Sequence, residues 1–410
     1  MHGVAQRARF ADVLAVGEFR ALWLAYLLSV AGDQLALVAL TVLVYDRTHS
    51  ALLAAMTYAA GFLPWVLGGL ALARLADRYP RREVMVTCDL VRVVLVAAMA
   101  WPGMPLWALI ALLFAVTLLD SPFRSARSAL LPDILDGERY VTGTAVMQIT
   151  NRSGRMAGFA AGGTLVALTG TRPALFADAA TFAMSALLVR VWVRRRTAAA
   201  PDSGGPAGPR RASALRLVFS DGRLRTLMLL GWLVPFYAVP EALAVPYAAR
   251  LHGGAVAAGL VLASGPLGSI IGSAVFARFV EPHRRPGWMG PLAVCSCGLL
   301  GFCFLQPGLA ASLVIFAVST ACSAYQLAAN AAFVAAVPAA WRGRAFGVAN
   351  GGIRVGQGAW FALAGAAAGV LAPASVVAAS GVLGAVVAVT LAIAWRRLPA
   401  AVPAAPSAQH

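Results

Sequence analysis

Lysine is absent from this chain of 410 residues, and charged residues of all kinds make up only 12% of it. Soluble globular proteins carry about 25% charged residues. Hydrophobic residues make up 60% of the chain, which is more apolar surface than a globular core hides from water. The composition therefore excludes an ordinary soluble protein and predicts a chain that uses the lipid bilayer as its solvent.

Several signatures of catalysis are also missing. The sequence has no Walker-type glycine-rich loop, no cluster with metal-ligand spacing and no nucleophile beside a base. These absences argue against ATP-driven transport and against enzymatic catalysis, and we expect no cofactor and no metal. The five cysteines lie in or beside apolar runs, where we interpret them as packing residues: Cys88, Cys295, Cys297, Cys303 and Cys322.

Twelve apolar runs have the length of a membrane span, which needs roughly 20 mostly apolar residues. They are continuously apolar and too long for barrel strands, so we predict helices, in which the backbone satisfies its own hydrogen bonds. The fold class is therefore an all-α membrane protein with twelve transmembrane helices. The predicted spans cover approximately residues 20–43, 51–75, 85–101, 106–128, 142–168, 173–193, 224–248, 255–280, 288–305, 311–334, 345–371 and 375–395.

The net charge of +17 comes from arginine, and the position of the arginines decides what it means. A basic excess can indicate nucleic-acid binding, but cytoplasmic loops of membrane proteins also collect positive charge. If the N-terminus is cytoplasmic, the opposite side holds only Arg47, Arg172 and Arg250. The cytoplasmic connections then hold Arg78, Arg81, Arg82, Arg139, Arg194, Arg195, Arg196, Arg210, Arg211, Arg284, Arg285, Arg342 and Arg344. We therefore predict cytoplasmic N- and C-termini, a lipid bilayer as partner, and no nucleic acid.

A stretch rich in Pro, Gly, Ser and Ala divides the predicted spans into two sets of six and is typical of a flexible linker. The two sets echo each other, since Pro132 with Gly137 recurs at one offset as Pro338 with Gly343. Paired six-helix halves of this kind build many secondary transporters. We predict an N-terminal bundle over 1–193, a cytoplasmic linker over 194–223, a pseudo-symmetric C-terminal bundle over 224–396 and a short cytoplasmic tail over 397–410.

The connection between the second and third predicted spans reads ARLADRYPRR. With the twelve spans and the two halves, this stretch resembles the major facilitator superfamily pattern G-x-x-x-D-R-x-G-R-R, with Asp77, Arg78, Arg81 and Arg82 in register. Ala73 and Pro80 replace its two glycines. The resemblance implies that Asp77 and these arginines form a cytoplasmic gate against the start of the eleventh span, where an anion is favoured at a helix N-terminus.

Other stretches resemble the bacterial efflux branch of this superfamily, which includes siderophore and macrolide exporters. They are EFRALWLAYLLSVAGDQLALVAL, LADRYPRREVMVTCDLVR, SARSALLPDIL and WRGRAFGVANGGIRVGQG. This resemblance implies a proton-coupled antiporter that acts as a monomer in the bacterial inner membrane. The expected substrates are small amphipathic drugs, antibiotics or siderophores. A lipid flippase or nutrient importer of the same fold is the alternative, and a membrane sensor that transports nothing is a remote one.

Three carboxylates lie inside predicted spans: Asp33, Asp120 and Glu241. Ionisable residues at membrane depth are costly and usually functional, which makes these three candidates for proton coupling. A structural hydrogen bond is the alternative for Asp33 and for Glu241. For Asp120 it is an ion pair with Arg124, one helical turn away.

Three further charged residues receive other interpretations. Asp178 lies near the outer end of the sixth span, where we expect a solvated rim position. Asp89 and Arg92 lie near the cytoplasmic end of the third span, and we expect them to join the gate network.

Polar side chains in the later spans either line a substrate cavity or bond neighbouring helices, and the sequence leaves both interpretations open. Arg152 and Arg155 either extend to the cytoplasm or neutralise an acid, and a cavity-facing Arg152 or Arg354 suits anionic substrates. The cavity candidates are Arg124, Asn151, Arg152, Tyr237, Tyr325, Gln326, Asn330 and Gln357. Glycines recur at helix-packing spacing, and each set either packs statically or forms a sliding face: Gly154, Gly158 and Gly162 in the fifth span, Gly347 and Gly351 in the eleventh.

Overall fold

A computed structural model of the chain describes residues 10–61, 64, 79–196, 216, 218–338 and 341–398, without the side chains of residues 342 and 343. The described residues form α-helices and one 3₁₀ segment, Leu299–Leu305, which follows α13. The helices are α1 Phe10–Leu14, α2 Gly17–Thr48, α3 Ala51–Ala59, α4 Arg81–Met99, α5 Leu106–Ile134, α6 Gly137–Thr169, α7 Thr171–Trp192, α8 Gly222–Gly231, α9 Val234–Tyr237, α10 Val239–Ala242, α11 Ala244–Arg250, α12 Gly254–Phe279, α13 Arg285–Gly298, α14 Leu309–Cys322, α15 Tyr325–Ala336, α16 Arg342–Ala367 and α17 Pro373–Arg397.

Within the described residues, seven helical segments are long and apolar enough to cross a membrane, and a bent pair raises the number to eight. The seven are Gly17–Thr48, Leu106–Ile134, Thr171–Trp192, Gly254–Phe279, Arg285–Leu305, Leu309–Ala336 and Pro373–Arg397; the bent pair joins Gly222–Ala242 and Ala244–Arg250 at 44°. The third, fifth and eleventh predicted spans form α4, α6 and α16, which are helical but are not among these segments. Most of the second predicted span lies outside the described residues. The number of twelve membrane-spanning helices therefore stays a prediction.

Proline explains the broken seventh span. Its four short helices, α8 to α11, contain Pro235, Pro240 and Pro246. Each proline lacks the N–H that would continue an α-helix and crowds the preceding turn. The break places Glu241 in the short helix just before the 44° bend.

The glycines of α6 confirm the packing prediction for that helix. A Cβ at Gly158 would collide with the backbone oxygen of Ala31 on α2, and one at Gly162 would lie 3.0 Å from Leu35 Cα. Gly154 also faces α2, where a Cβ would lie 3.2 Å from Val30 Cγ1. These small residues let two backbones approach closely.

For α16 the packing prediction for Gly347 and Gly351 stays a prediction. A Cβ at Gly347 or Gly351 would meet no described atom within 4 Å. The glycines in contact on this helix are Gly352, against the Trp232 ring, and Gly365, whose Cβ would lie 2.5 Å from Ala55 Cβ. The spacing of glycines along α16 does not by itself show which face of this helix a neighbouring helix covers.

The contact between the two predicted halves is largest where α6 meets α12 and where α3 meets α16. A Cβ at Gly163 would lie 2.8 Å from Gly259 Cα of α12. Gly163 is near the end of α6, Gly259 near the start of α12, and Ala55 and Gly365 lie near the turn that joins α2 to α3. The halves therefore touch on the side where α2 ends, which the arginine pattern predicts to be the outer side.

Candidate functional site

A cavity of about 150 Å³, called the central cavity below, lies among α2 to α7 and α16. Its apolar lining includes Leu37, Leu40 and Val116. Its charged lining residues are three carboxylates and three guanidinium groups: Asp33, Asp120, Asp178, Arg124, Arg155 and Arg354. The structure thus brings two of the three predicted proton-coupling acids to one cavity.

Asp120 is held by two guanidinium groups. Arg124 Nε donates to Asp120 Oδ2 at 2.5 Å, which confirms the ion pair predicted from their spacing. Arg92 Nη2 lies 3.4 Å from Asp120 Oδ1, and Arg92 Nη1 lies 3.8 Å from Asp89 Oδ1. Asp33 interacts electrostatically with the same group of residues.

The expectation for Asp89 and Arg92 was wrong. Both side chains are fully buried, and they face Asp120 inside the bundle rather than a cytoplasmic gate. Ser185 of α7 donates a hydrogen bond of 2.6 Å to Asp89 Oδ2. Because α4 packs against both α5 and α7, the face of α4 that carries Asp89 and Arg92 turns inward.

The rim position predicted for Asp178 was also wrong, since its side chain is fully buried. Asp178 Oδ1 accepts a hydrogen bond of 3.3 Å from Thr181, and Oδ2 has no hydrogen-bond partner among the described residues. Asp178 Oδ1 also lies directly against Gly32, next to Asp33, where a Cβ would collide with it. The packing of α7 on α2 buries this acid, and depth along α7 did not reveal it.

These residues form a group that we call the acid cluster: Asp33, Asp89, Asp120 and Asp178, with Arg92 and Arg124. It contains four carboxylates and two guanidinium groups. An unpaired charge is costly in an apolar environment. The cluster is therefore a place where protons can balance charge.

Glu241 joins the two predicted halves. Tyr58 Oη of α3 donates to Glu241 Oε2 at 2.7 Å, and Arg155 Nη2 of α6 lies 3.9 Å from the same oxygen. Sequence reasoning did not identify Tyr58, because a tyrosine at that depth has no distinguishing local signal. The contact needs the broken α10 helix to place Glu241 against α3.

A second cavity, of about 360 Å³, lies between α2, α5 and α6, and we call it the basic cavity. Arg124 and Asn151 line both cavities, whereas Arg152 lines only the basic one. Asn151 Nδ2 donates to Tyr26 Oη at 2.6 Å. Arg152 reaches across to α12, where Ser273 Oγ accepts at 3.1 Å.

The other predicted cavity residues lie apart from both cavities. Gln326 Nε2 donates to Tyr237 Oη at 2.6 Å, and buried Tyr325 donates to the backbone oxygen of Leu230 at 2.9 Å. Asn330 is exposed, and Gln357 is buried on α16. None of these five residues is among the described lining of the central cavity.

Two of the four residues of the predicted gate motif, Arg81 and Arg82, lie within the described residues. Asp77 and Arg78 lie outside the described residues. Arg81 donates to Asp133 Oδ2 at 2.5 Å and to Ala129 O at 2.8 Å. Arg82 donates to the backbone oxygen of Val193 at 3.1 Å. Both arginines thus tie α4 to other helices of the N-terminal half.

Comparison with known proteins places this geometry in a family. The Major Facilitator Superfamily profile matches residues 22–321. No curated protein sequence matches the chain significantly.

Solved structures share the fold. A bacterial homologue of the human lysosomal transporter Spinster, inward-facing and occupied, has a TM-score of 0.72 at 16% identity, over 92% of this chain and 95% of that chain. A mutant of the nucleoside transporter NupG has a TM-score of 0.74 at 14% identity, over 92% of this chain and 98% of that chain. A POT family transporter in complex with a thioalcohol-conjugated peptide has a TM-score of 0.73 at 12% identity, over 92% of this chain and 95% of that chain.

Likeness at these identities shows the fold alone, and the efflux branch stays a prediction. The family match covers well over half of the chain, and it agrees with the long apolar helices and the buried polar cavity. The chain belongs to the Major Facilitator Superfamily and is a multi-pass membrane transporter of small molecules rather than an enzyme.

Proposed function

We propose that this transporter is a proton-coupled exporter. It acts as an antiporter that moves small amphipathic molecules, such as drugs, antibiotics or siderophores, out of a bacterial cell across the plasma membrane by alternating access. The observation that carries the proposal is the acid cluster inside the bundle, where two guanidinium groups pair with Asp89 and Asp120, and Asp33 and Asp178 lie nearby without an ion pair among the described residues. Antiport requires such a group, which binds a proton from one side and releases it to the other.

The contacts of each acid suggest which of them exchange the proton. Asp120 already has two guanidinium partners, Arg92 and Arg124. Asp178 Oδ2 has no hydrogen-bond partner among the described residues, and Asp178 lines the central cavity together with Asp33. We therefore assign proton exchange to Asp33 and Asp178, and we assign to Asp120 the role of holding the two arginines in place.

The lining of the central cavity supports an amphipathic substrate. Leu37, Leu40 and Val116 offer apolar surface beside the charged groups. Ligand pockets commonly combine an apolar wall with a few polar groups that fix orientation. A proton bound at Asp33 or Asp178 would lie beside the substrate, so the two can influence each other directly.

Alternating access requires the contact between the halves to break. Tyr58, Arg155 and Glu241 form the polar part of that contact on the predicted outer side. Opening this side separates Tyr58 from Glu241. Protonation of Glu241 would weaken its attraction to Arg155, which makes the same contact a second point of proton control.

The test uses liposomes that contain purified protein and a trapped pH dye. A proton gradient is imposed, and dyes, antibiotics and siderophores are added in turn. We expect substrate-evoked proton flux in the wild type, and its loss in Asp33→Asn or Asp178→Asn. Glu138→Gln, an exposed carboxylate at the start of α6, is the matched control and should behave as the wild type does. Substrate transport without proton flux, equal in all four proteins, would refute the coupling.

Nutrient import is the second candidate, and one observation favours it. The central cavity carries three carboxylates and three guanidinium groups, a balance that also suits a zwitterionic solute. The same liposomes distinguish the two functions by direction, because an importer moves solute with the proton and an exporter moves it against the proton.

A further inference from the structure

The charge of the basic cavity is one-sided, and two of its arginines, Arg127 and Arg152, have no role in the proposed proton mechanism. Three arginines line it, Arg124, Arg127 and Arg152, and no aspartate or glutamate is among its described lining residues. It lies beside the turn between α5 and α6, on the side that the arginine pattern predicts to be cytoplasmic.

Two of these arginines have no carboxylate partner. Arg124 is neutralised by Asp120. Across the described ranges, no carboxylate oxygen lies within 4 Å of the guanidinium nitrogens of Arg127 or Arg152. Both residues are half-buried, and a cation partly withdrawn from water without a counter-charge is unfavourable, so these two positive charges favour a bound anion.

The other contacts of the two arginines do not supply that anion. The Arg127 guanidinium stacks 3.5 Å from the centre of the Tyr26 ring, and its Nη1 is buried with no hydrogen-bond partner in the described part of the chain. Among the described residues, Arg152 donates only to the neutral hydroxyls of Ser269 and Ser273. The Tyr26 ring lies against the Arg127 guanidinium group and supplies no negative charge.

The remaining lining completes an anion site. Ser128 and Gln148 add neutral polar groups beside the guanidinium groups. A guanidinium group presents a planar set of donors that matches two oxygens of a carboxylate or phosphate. The cavity volume of about 360 Å³ holds such a group with part of the molecule that carries it.

We propose that the basic cavity binds the carboxylate or phosphate group of an amphipathic anion. The inference deepens the proposed function and rests on it, because it gives the transported molecule a negative charge. Arg124 and Asn151 line both cavities, so an anion held here lies next to the central cavity. A phospholipid headgroup offers the same chemistry, and the experiment separates these two sources.

The experiment measures binding, without transport. Purified protein in phosphatidylcholine nanodiscs is titrated calorimetrically with inorganic phosphate, with benzoate and with choline as a cationic control. We expect saturable binding of phosphate and benzoate but not of choline. Arg127→Gln and Arg152→Gln should each weaken anion binding by about tenfold or more, as expected for the loss of a charged hydrogen-bond donor. Arg139→Gln, an exposed arginine on α6, is the matched control and should bind as the wild type does.

Further arms keep the result interpretable. If Arg127→Gln does not fold, Arg127→Lys retains the charge without the planar fork, and Arg152→Gln tests the cavity independently. Weaker phosphate binding in discs that contain phosphatidylglycerol would assign the site to a lipid headgroup, and unchanged binding would assign it to a soluble anion; both outcomes support an anion site. Absence of saturable binding, or equal affinity in all the variants, would overturn it. Because no proton flux is measured, anion binding can hold where proton coupling fails, and the reverse.

Discussion

The glycine contact between α6 and α12 gives a direct way to shift the transporter between its states. In Gly163→Ala the new Cβ would lie 2.5 Å from Ala255 O and 2.8 Å from Gly259 Cα. Both neighbours are backbone atoms, which cannot move aside as a flexible side chain does. The two helices must separate locally wherever the halves touch at this point.

The size of the effect follows from overpacking. An extra methyl group in a tight contact costs about 1–3 kcal/mol, and such a difference changes an equilibrium between two states about 5- to 150-fold. The strain exists only while the outer sides of the halves are in contact. We therefore expect Gly163→Ala to favour the state in which this side is open.

Spin labels at Leu168 and Val370 report the separation of the two halves. Both side chains are strongly exposed, at 79% and 86%, and they lie near the ends of α6 and α16. In a background without the native cysteines, double electron–electron resonance should show a longer distance between the two spin labels in Gly163→Ala than in the parent protein. Gly358→Ala on α16, where no described atom lies within 4 Å of the new Cβ, is the control. An unchanged distance in a well-folded Gly163→Ala would refute the reasoning.

Three further predictions use other contacts. Tyr58→Phe removes the 2.7 Å hydrogen bond to Glu241 and should lengthen the same spin-label distance, since a hydrogen bond to a charged group contributes about 1.5–3 kcal/mol; an unchanged distance would remove this bond from the outer contact. Tyr325→Phe removes the hydroxyl that donates to the backbone oxygen of Leu230 and leaves that oxygen, among the described residues, only its longer backbone bond from Leu233 N at 3.3 Å, so the melting temperature should fall while the KM for substrate stays the same, and a changed KM would argue for a direct role in binding. Gly158→Ala clashes within one half, so it should lower thermal stability without changing the spin-label distance, in contrast to the inter-half glycine.

Part of the candidate site follows from local rules. The ion pair of Asp120 with Arg124 was predicted from their spacing of four residues, because such residues lie on one face of a helix. The α6 glycines were predicted from a spacing that brings small residues onto one face. Both features depend on a single helix, so the order of residues was sufficient.

The sequence by itself determined the class of the protein. The long apolar runs, the scarcity of charge and the pattern of arginines predicted a helical membrane protein with the features of a transporter. This was possible because the free energy of transfer into lipid depends on each residue along the chain. Only the tertiary structure decided that Asp178 is buried, that Tyr58 bonds Glu241, and that Gly352 packs against Trp232. Depth along a helix can be counted from the sequence. The rotation of that helix and the choice of neighbour depend on contacts between residues far apart in the chain, and no local pattern contains them.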